Sequence, residues 1–380
     1  MPLEAYSGDM SGPLYPAARL HAAGIEKHFA RHLADARPPS AAAGPDARTI
    51  EALVDAAFWA SLQREEGYPP AISLAFLPPD RAVQPMLLKD ALPLGPRSLA
   101  RLAPAVERAG IHLGVWRVAG ELMVWGTTRA VPTFCMVLEV LAPGLLVVKH
   151  RVDEDSAKFR NVAVFEGEQV KLMRRGAAGL DDAPALLQHL LGPESSSSLD
   201  DAEDVLLRLA VSMRAHKRGG TLLVVPTGSD SWRESIVRPI AYAVHPPFSE
   251  LADLVREGPA GHALELARVV EEIAGLTAVD GATVITDRYE LLAFGVKIGR
   301  PDGRSRVERV MLSEPVEGGR AEVVAALQLG GTRHNSAAQF TQDQRDAFAM
   351  VASQDGRFTL LAWSEREGMV HAHRVEALLL

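Results

Sequence analysis

Cysteine is nearly absent from this chain of 380 residues: Cys135 is the only one, so no internal disulfide framework can form. It sits in the apolar run FCMVLEV, where it reads as a buried structural thiol, and its scarcity fits a reducing cytoplasm. Basic charge is not in excess either. Lys and Arg total 40 against 48 Asp and Glu, a formal net charge of −8, which argues against a nucleic-acid partner. The opening segment MPLEAYSGDMSGPLYP has neither a basic start nor an apolar stretch, so no signal peptide is expected. The longest greasy stretch, VPTFCMVLEVLAPGLLVV, is broken by Glu139 and by Ala-Pro-Gly. It reads as two strands and a turn rather than a membrane span. No repeat, nucleophile elbow, HExxH or P-loop is visible. A soluble cytoplasmic protein with no membrane partner is expected.

What is present is a globular balance, 47% hydrophobic and 23% charged residues, in a chain long enough for two domains. Helices are expected near 17–34 and 47–64, then a strand at AISLAFL and a short helix over SLARLAPAVERAG, ending at Gly110. From Ile111 the pattern becomes strands parted by glycine turns: IHLGVWRV, ELMVWGTT, FCMVLEV, LLVVKH, NVAVF and QVKLM. Residues 1–194 are therefore expected to form an α+β domain with an antiparallel sheet. The Ser-rich linker GPESSSSLDD follows, leading into a helix with Val205, Leu206, Leu209 and Met213 on one face. Residues 195–380 then alternate strands and helices, which predicts an α/β domain with a mixed sheet.

Two short stretches carry chemistry. In GGTRHNSAAQF, two glycines precede a hydroxyl, a guanidinium and an imidazole at a helix start. Unpaired amides, Thr332, the fork of Arg333 and a donor on His334 together suit a polyphosphate; a capped helix with a surface arginine explains the same residues. In AVDGATVI, Asp280 stands before Gly281 and Ala282 at the entrance to an apolar strand. Such a carboxylate can hydrogen-bond a ribose, hold a cation or accept a proton, and an ordinary Asp-Gly turn reads the same way.

In this order, with strands around them, Asp280-Gly281-Ala282 and Gly331-Thr332-Arg333-His334-Asn335 resemble the motifs of the diadenylate cyclase domain. The resemblance covers about residues 199–375. It implies that two ATP molecules condense into cyclic di-AMP and pyrophosphate with Mg²⁺ or Mn²⁺, in a homodimer or higher homo-oligomer whose catalytic domains face each other. It implies catalytic roles for Asp280, also a metal ligand, and for Asp355. Nucleotide contacts are implied for Gly281, Ala282, Val296 and Ser353, and for Gly331, Thr332, Arg333 and His334.

Asn335 replaces an arginine of the family pattern, and Ser353-Gln354-Asp355 carries one acid where the family has two. The alternative is thus a catalytically weak or inactive nucleotide-binding sensor module. Arg300, Arg304, Arg306 and Arg309 lie in a long connection, readable as a lid over phosphates or as a solvated loop. The first half resembles a sensor domain of the DACNV type, with an unidentified ligand or protein partner. Trp116 and Trp125 are candidates for a pocket or a packed core, and His371 and His373 for one strand face bearing a metal.

Overall fold

Two mixed sheets, of eight and nine strands, organise the chain in a computed structural model that describes residues 14–36, 44–64, 67–151, 159–174, 201–258 and 262–380. The chain divides into two units, Met1–Met173 with Leu380, and Arg174–Leu379. The boundary expected near residue 195, with the Ser-rich linker, lies outside the described residues.

The first unit begins with α1 (Pro16–Ala36) and α2 (Ala47–Ser61). Asp46 caps α2, its Oδ1 accepting from the Thr49 amide at 2.8 Å. There follow β1 (Ile72–Phe76), β2 (Met86–Pro93) and α3 (Pro96–Leu102), then β3 (His112–Val118), β4 (Glu121–Thr128), β5 (Met136–Ala142), β6 (Leu145–Arg151), β7 (Phe159–Glu166) and β8 (Gln169–Leu172). The helix expected over 98–110 stops at Leu102 and gives way to a 3₁₀ turn, Ala103–Ala105. Pro104 has no N–H to continue the ladder, so the helix ends although Ala103 keeps helical backbone angles. Strand order is β2-β4-β3-β1-β5-β6-β7-β8.

The sheet is mixed rather than antiparallel, because β1 and β3 run parallel, Leu74 opposite Leu113. The chain between them is long enough to cross over, and the edge strand β2 lies within it. The glycine turns do form hairpins: Ala119 and Gly120, both at positive φ, join β3 to β4. One sheet face packs Leu74, Leu113, Leu138 and Phe165 against Ile25, Phe29, Ile50 and Leu53 of the helices. Each such side chain contributes about 1.5–3 kcal/mol of burial.

Among the described residues the first helix of the second unit is α4 (Asp201–Ala215), whose Val205, Leu206, Leu209 and Met213 are buried as their spacing requires. Its other elements are β9 (Gly220–Val225), β10 (Tyr242–Phe248), α5 (Glu250–Glu257), α6 (Ala263–Leu276), β11 (Ala282–Thr286) and β12 (Leu291–Val296). They continue with β13 (Arg309–Ser313), β14 (Glu322–Ala325), α7 (Thr332–Asp343), β15 (Phe348–Ala352), β16 (Phe358–Ser364) and β17 (Met369–Arg374). The order is β10-β12-β11-β9-β15-β16-β17-β13-β14. Helices α4, α5 and α6 cover one face through Leu209, Leu251 and Ile273. Helix α7 covers the other through Ala337, Ala338 and Phe340. The sheet is thus buried on both sides, which explains why β9 is buried along its whole length and apolar from Leu222 to Val225.

Candidate functional site

Sheet register decides which loops meet. Strand β11 runs parallel to β9, Thr283 opposite Leu222, while β15 runs antiparallel to it, ending with Ala352 opposite Gly220. Ala282 pairs with Val296 at the end of β12, and Ala352 with Phe358 at the start of β16. Asp280, Gly219, Lys297 and the 353–357 turn therefore cluster at one end of the sheet. Helix α7 begins at the same end, since the buried His334 places Nε2 3.2 Å from Thr359 Oγ1, at the start of β16.

Backbone contact explains the Asp-Gly-Ala sequence. Gly281 sits at φ +129°, and a Cβ there would lie 2.5 Å from the Gly295 carbonyl carbon and 2.6 Å from the Val296 oxygen. No other residue fits without moving β12. Ala282 is buried beneath, so Asp280 is carried to the lip of the sheet with its side chain 94% exposed. Lys297 Nζ stands 2.6 Å from Asp280 Oδ2 and donates to its carbonyl at 3.1 Å. The hydrogen bond from Lys297 to the carboxylate, then the charge of Lys297, holds the carboxyl below its usual range, with a smaller contribution from Arg333.

The start of α7 is open. Gly331 precedes it without a side-chain cap, and the first intrahelical bond there runs from the Asn335 amide to the Gly331 carbonyl at 3.3 Å. The amides of Thr332, Arg333 and His334 have no carbonyl four residues back. Thr332 is exposed and Arg333 half-buried. The guanidinium lies against the Gly219 turn, 3.1 Å from where a Cβ on that glycine would stand. Among the described residues no carboxylate pairs with Arg333.

Two expected contacts take a different form. His334 is only 3% exposed, and its ring fills the space beside Gly330, where a Cβ would be 2.6 Å from Nδ1. Burial lowers its pKa, so it is a neutral ring packed under the helix start rather than a group on the open surface. Asp355 is bound up in its own turn. Its Oδ1 accepts from the Arg357 amide at 3.3 Å, and Oδ2 lies 3.5 Å from Arg357 Nε. A hydrogen bond from the Ser353 hydroxyl is the largest cause of its lowered pKa.

The arginine lid does not form over this end. Arg300 and Arg304 act on Asp343, the last residue of α7, and the Ser305 carbonyl accepts from Gln339 and Gln342. That is the far end of the helix, about 18 Å from its start at 1.5 Å per residue. Arg309 instead opens the β13–β14 hairpin. The two histidines of HAH do share a face, their rings stacked at 3.8 Å, with His371 Nε2 and His373 Nδ1 each 2.9 Å from Ser313 Oγ. No group of three or more metal-binding side chains occurs among the described residues.

Sequence reasoning missed Lys297 and the Gly219-Gly220 pair. A Cβ on Gly220 would strike Thr277 Oγ1 at 2.4 Å, and Thr277 in turn lies 3.3 Å from His216 Nε2. The hairpin register was the available signal for Lys297, because a residue just past Val296 must return beside Asp280.

Each unit is thus a helix-covered mixed sheet, and the second carries an anion-favouring helix start beside an exposed carboxylate. Residues 39–129 match a family model described as a probable sensor domain, DACNV. No diadenylate cyclase catalytic domain is detected, and none of the curated proteins matches. The solved structure of a hypothetical membrane spanning protein from Bacillus cereus is similar at 15% identity, covering 49% of this chain and 67% of that one, with a TM-score of 0.27. So low a score carries no argument. Among the described residues no helix is long and apolar enough to cross a membrane.

Proposed function

We propose that the second unit is a diadenylate cyclase: it binds ATP and, with a second copy facing it, condenses two ATP into cyclic di-AMP and two pyrophosphates. The observation that supports this best is the convergence, at one end of one sheet, of the exposed Asp280 carboxylate with Thr332, Arg333 and the free amides of α7. In the reaction each 3′-oxygen attacks the α-phosphorus of the other ATP. Two phosphodiester bonds form, two α–β anhydride bonds break, and two hydroxyl protons are released.

The charges divide the work. Arg333, without a carboxylate partner among the described residues, and the helix amides would hold the triphosphate tail. Gly281 lets β12 close against the strand entrance that carries Asp280, and Ala282 and Val296 would floor the pocket. His334 acts from beneath, fixing the helix start. Asp280, ionised at neutral pH, is a weak base; it would orient the 3′-hydroxyl by accepting its hydrogen bond. Ser353 and Asp355 would border the base of the site.

Mg²⁺ or Mn²⁺ fits this donor set together with phosphate oxygens, since such ions take one or two carboxylates plus substrate phosphates. Asp280 would hold the ion, which when bound would offset phosphate charge.

A second reading, a nucleotide-binding module with little or no turnover, is favoured by Asn335, which brings no charge, and by Lys297, which already engages Asp280. Incubating the full chain with ATP and either metal, with products identified by mass, separates the two. Cyclic di-AMP supports the cyclase; ATP binding without product under both metals supports the module.

A further inference from the structure

We infer that the first unit holds its own small-molecule site, a cleft at the ends of β1 and β3 that takes a flat, neutral heteroaromatic ring. The cleft has a volume of about 450 Å³, within the range of pockets that enclose small organic ligands. Its position follows from topology. Strands β1 and β3 are a parallel pair, and Phe76, Leu77 and Pro78 at the end of one meet Trp116 near the end of the other.

The lining sets the chemistry. Phe76 and Trp116 form a tilted pair with centroids 4.7 Å apart, and Phe134 also borders the space. Pro45, Pro78 and Pro132 add rigid apolar faces that lose no side-chain freedom when a ring stacks on them. The other tryptophan of the sheet is already committed. Trp125 is buried over Gly114, and its Nε1 donates to the Leu77 carbonyl at 2.9 Å, so it supports the cleft without opening into it. Asp80 and Arg81 are the lining residues that carry charge, and they cancel. A neutral ligand therefore fits better than a phosphorylated one.

Two features of the wall point to a ligand. Thr133 lines the cleft, and its Oγ1 is buried with no hydrogen-bond partner. A ring nitrogen would satisfy it, whereas a hydrocarbon ring leaves it unpaired. Phe134 holds φ at +64°, the left-handed region that a bulky side chain seldom adopts. The turn is fixed by the Phe134 amide donating to Arg151 at 3.0 Å and the Cys135 amide donating to Pro132 at 3.2 Å. Strain of this kind collects where a surface is shaped for binding. The probable sensor domain match spans Gly44 to Trp116 of this wall, while Pro132 to Met136 lie beyond it.

The test uses ligand-observed NMR on the full chain with quinoxaline, benzoate and cyclohexanol as probes. Wild type binds quinoxaline, and benzoate and cyclohexanol bind at least about tenfold more weakly. Thr133→Val, which keeps the shape, loses about tenfold in quinoxaline affinity, the ratio one net hydrogen bond gives. Trp116→Leu, checked for folding by its thermal transition, loses more. The inference is overturned if quinoxaline fails to bind wild type at millimolar concentration, if cyclohexanol binds as well, or if Thr133→Val binds quinoxaline unchanged. Should Trp116→Leu fail to fold, the Thr133→Val comparison decides alone.

Discussion

Gly281 and Val296 meet backbone to backbone: a methyl group on the glycine would come within 2.6 Å of the valine carbonyl oxygen, and φ there is +129°. Gly228 has a similar left-handed backbone, φ +77°, with nothing within 4 Å of its missing Cβ. Gly228→Ala thus reports conformational strain alone, while Gly281→Ala adds a collision. Urea unfolding should show Gly281→Ala to be the costlier by about 1–3 kcal/mol. Equal costs would mean that β12 yields freely and that the close approach is not a constraint.

Asp280 and Lys297 are both well exposed, so their 2.6 Å contact adds little to folding. Asp280→Asn should leave the melting temperature nearly unchanged and abolish cyclic product while ATP still binds. Lys297→Gln should raise the Asp280 pKa, readable by NMR titration of its carboxyl carbon. Near wild-type turnover by Asp280→Asn would reduce that residue to a turn former.

Arg333→Ala should weaken ATP by about 1–3 kcal/mol, as loss of a charge-assisted bond does, and weaken AMP much less. Calorimetry on both nucleotides checks this. Identical losses would show that the guanidinium does not face the β and γ phosphates.

His373 makes stability depend on pH. Burial, then the charge of His371, pushes its folded pKa down to about 3, from an unfolded value near 6.5. Between those values the unfolded chain takes up a proton that the folded chain refuses. Stability is therefore complete above about pH 6.5 and falls as the pH drops toward 3, by at most about 1.4 kcal/mol per unit. Denaturation curves from pH 7.5 to 5 should be less steep in pH for His373→Gln, by about one proton. An unchanged slope would assign the acid loss to other groups.

If each domain holds one ATP, turnover per chain should rise with protein concentration and level off once dimers dominate. Mixing Asp280→Asn with wild type should depress activity more than dilution does. A monomer verified by ultracentrifugation that makes cyclic product at full rate would exclude the face-to-face arrangement.

The six strands from β3 to β8 were legible because their short apolar runs and the glycine turns between them act locally. So were β9, β11, β12 and β15–β17, whose apolar runs are short and bounded. Strand β10 escaped notice because Pro246 and Pro247 argue against a strand; it survives as an edge, where missing amides matter less. Exposed β2 has no buried face to mark it, and β13, though Val310 and Leu312 are buried, was hidden in an arginine-rich connection that reads as a loop. The clustering of Asp280 with Thr332 and Arg333 was suggested by motif order, but the burial of His334 was not. A histidine's surroundings depend on Gly330 and Thr359, and their positions come from tertiary packing.

Cys135 turns out to be a built-in clock for the first unit. Burial pushes its thiol up to about 12, so almost none is thiolate at neutral pH and an alkylating reagent meets an unreactive sulfur. The second unit has no thiol at all. Alkylation therefore times the opening of the first sheet without interference from the second. Any ligand that slows this labelling in proportion to its occupancy either covers the cleft wall that holds Cys135 or stabilises the first unit.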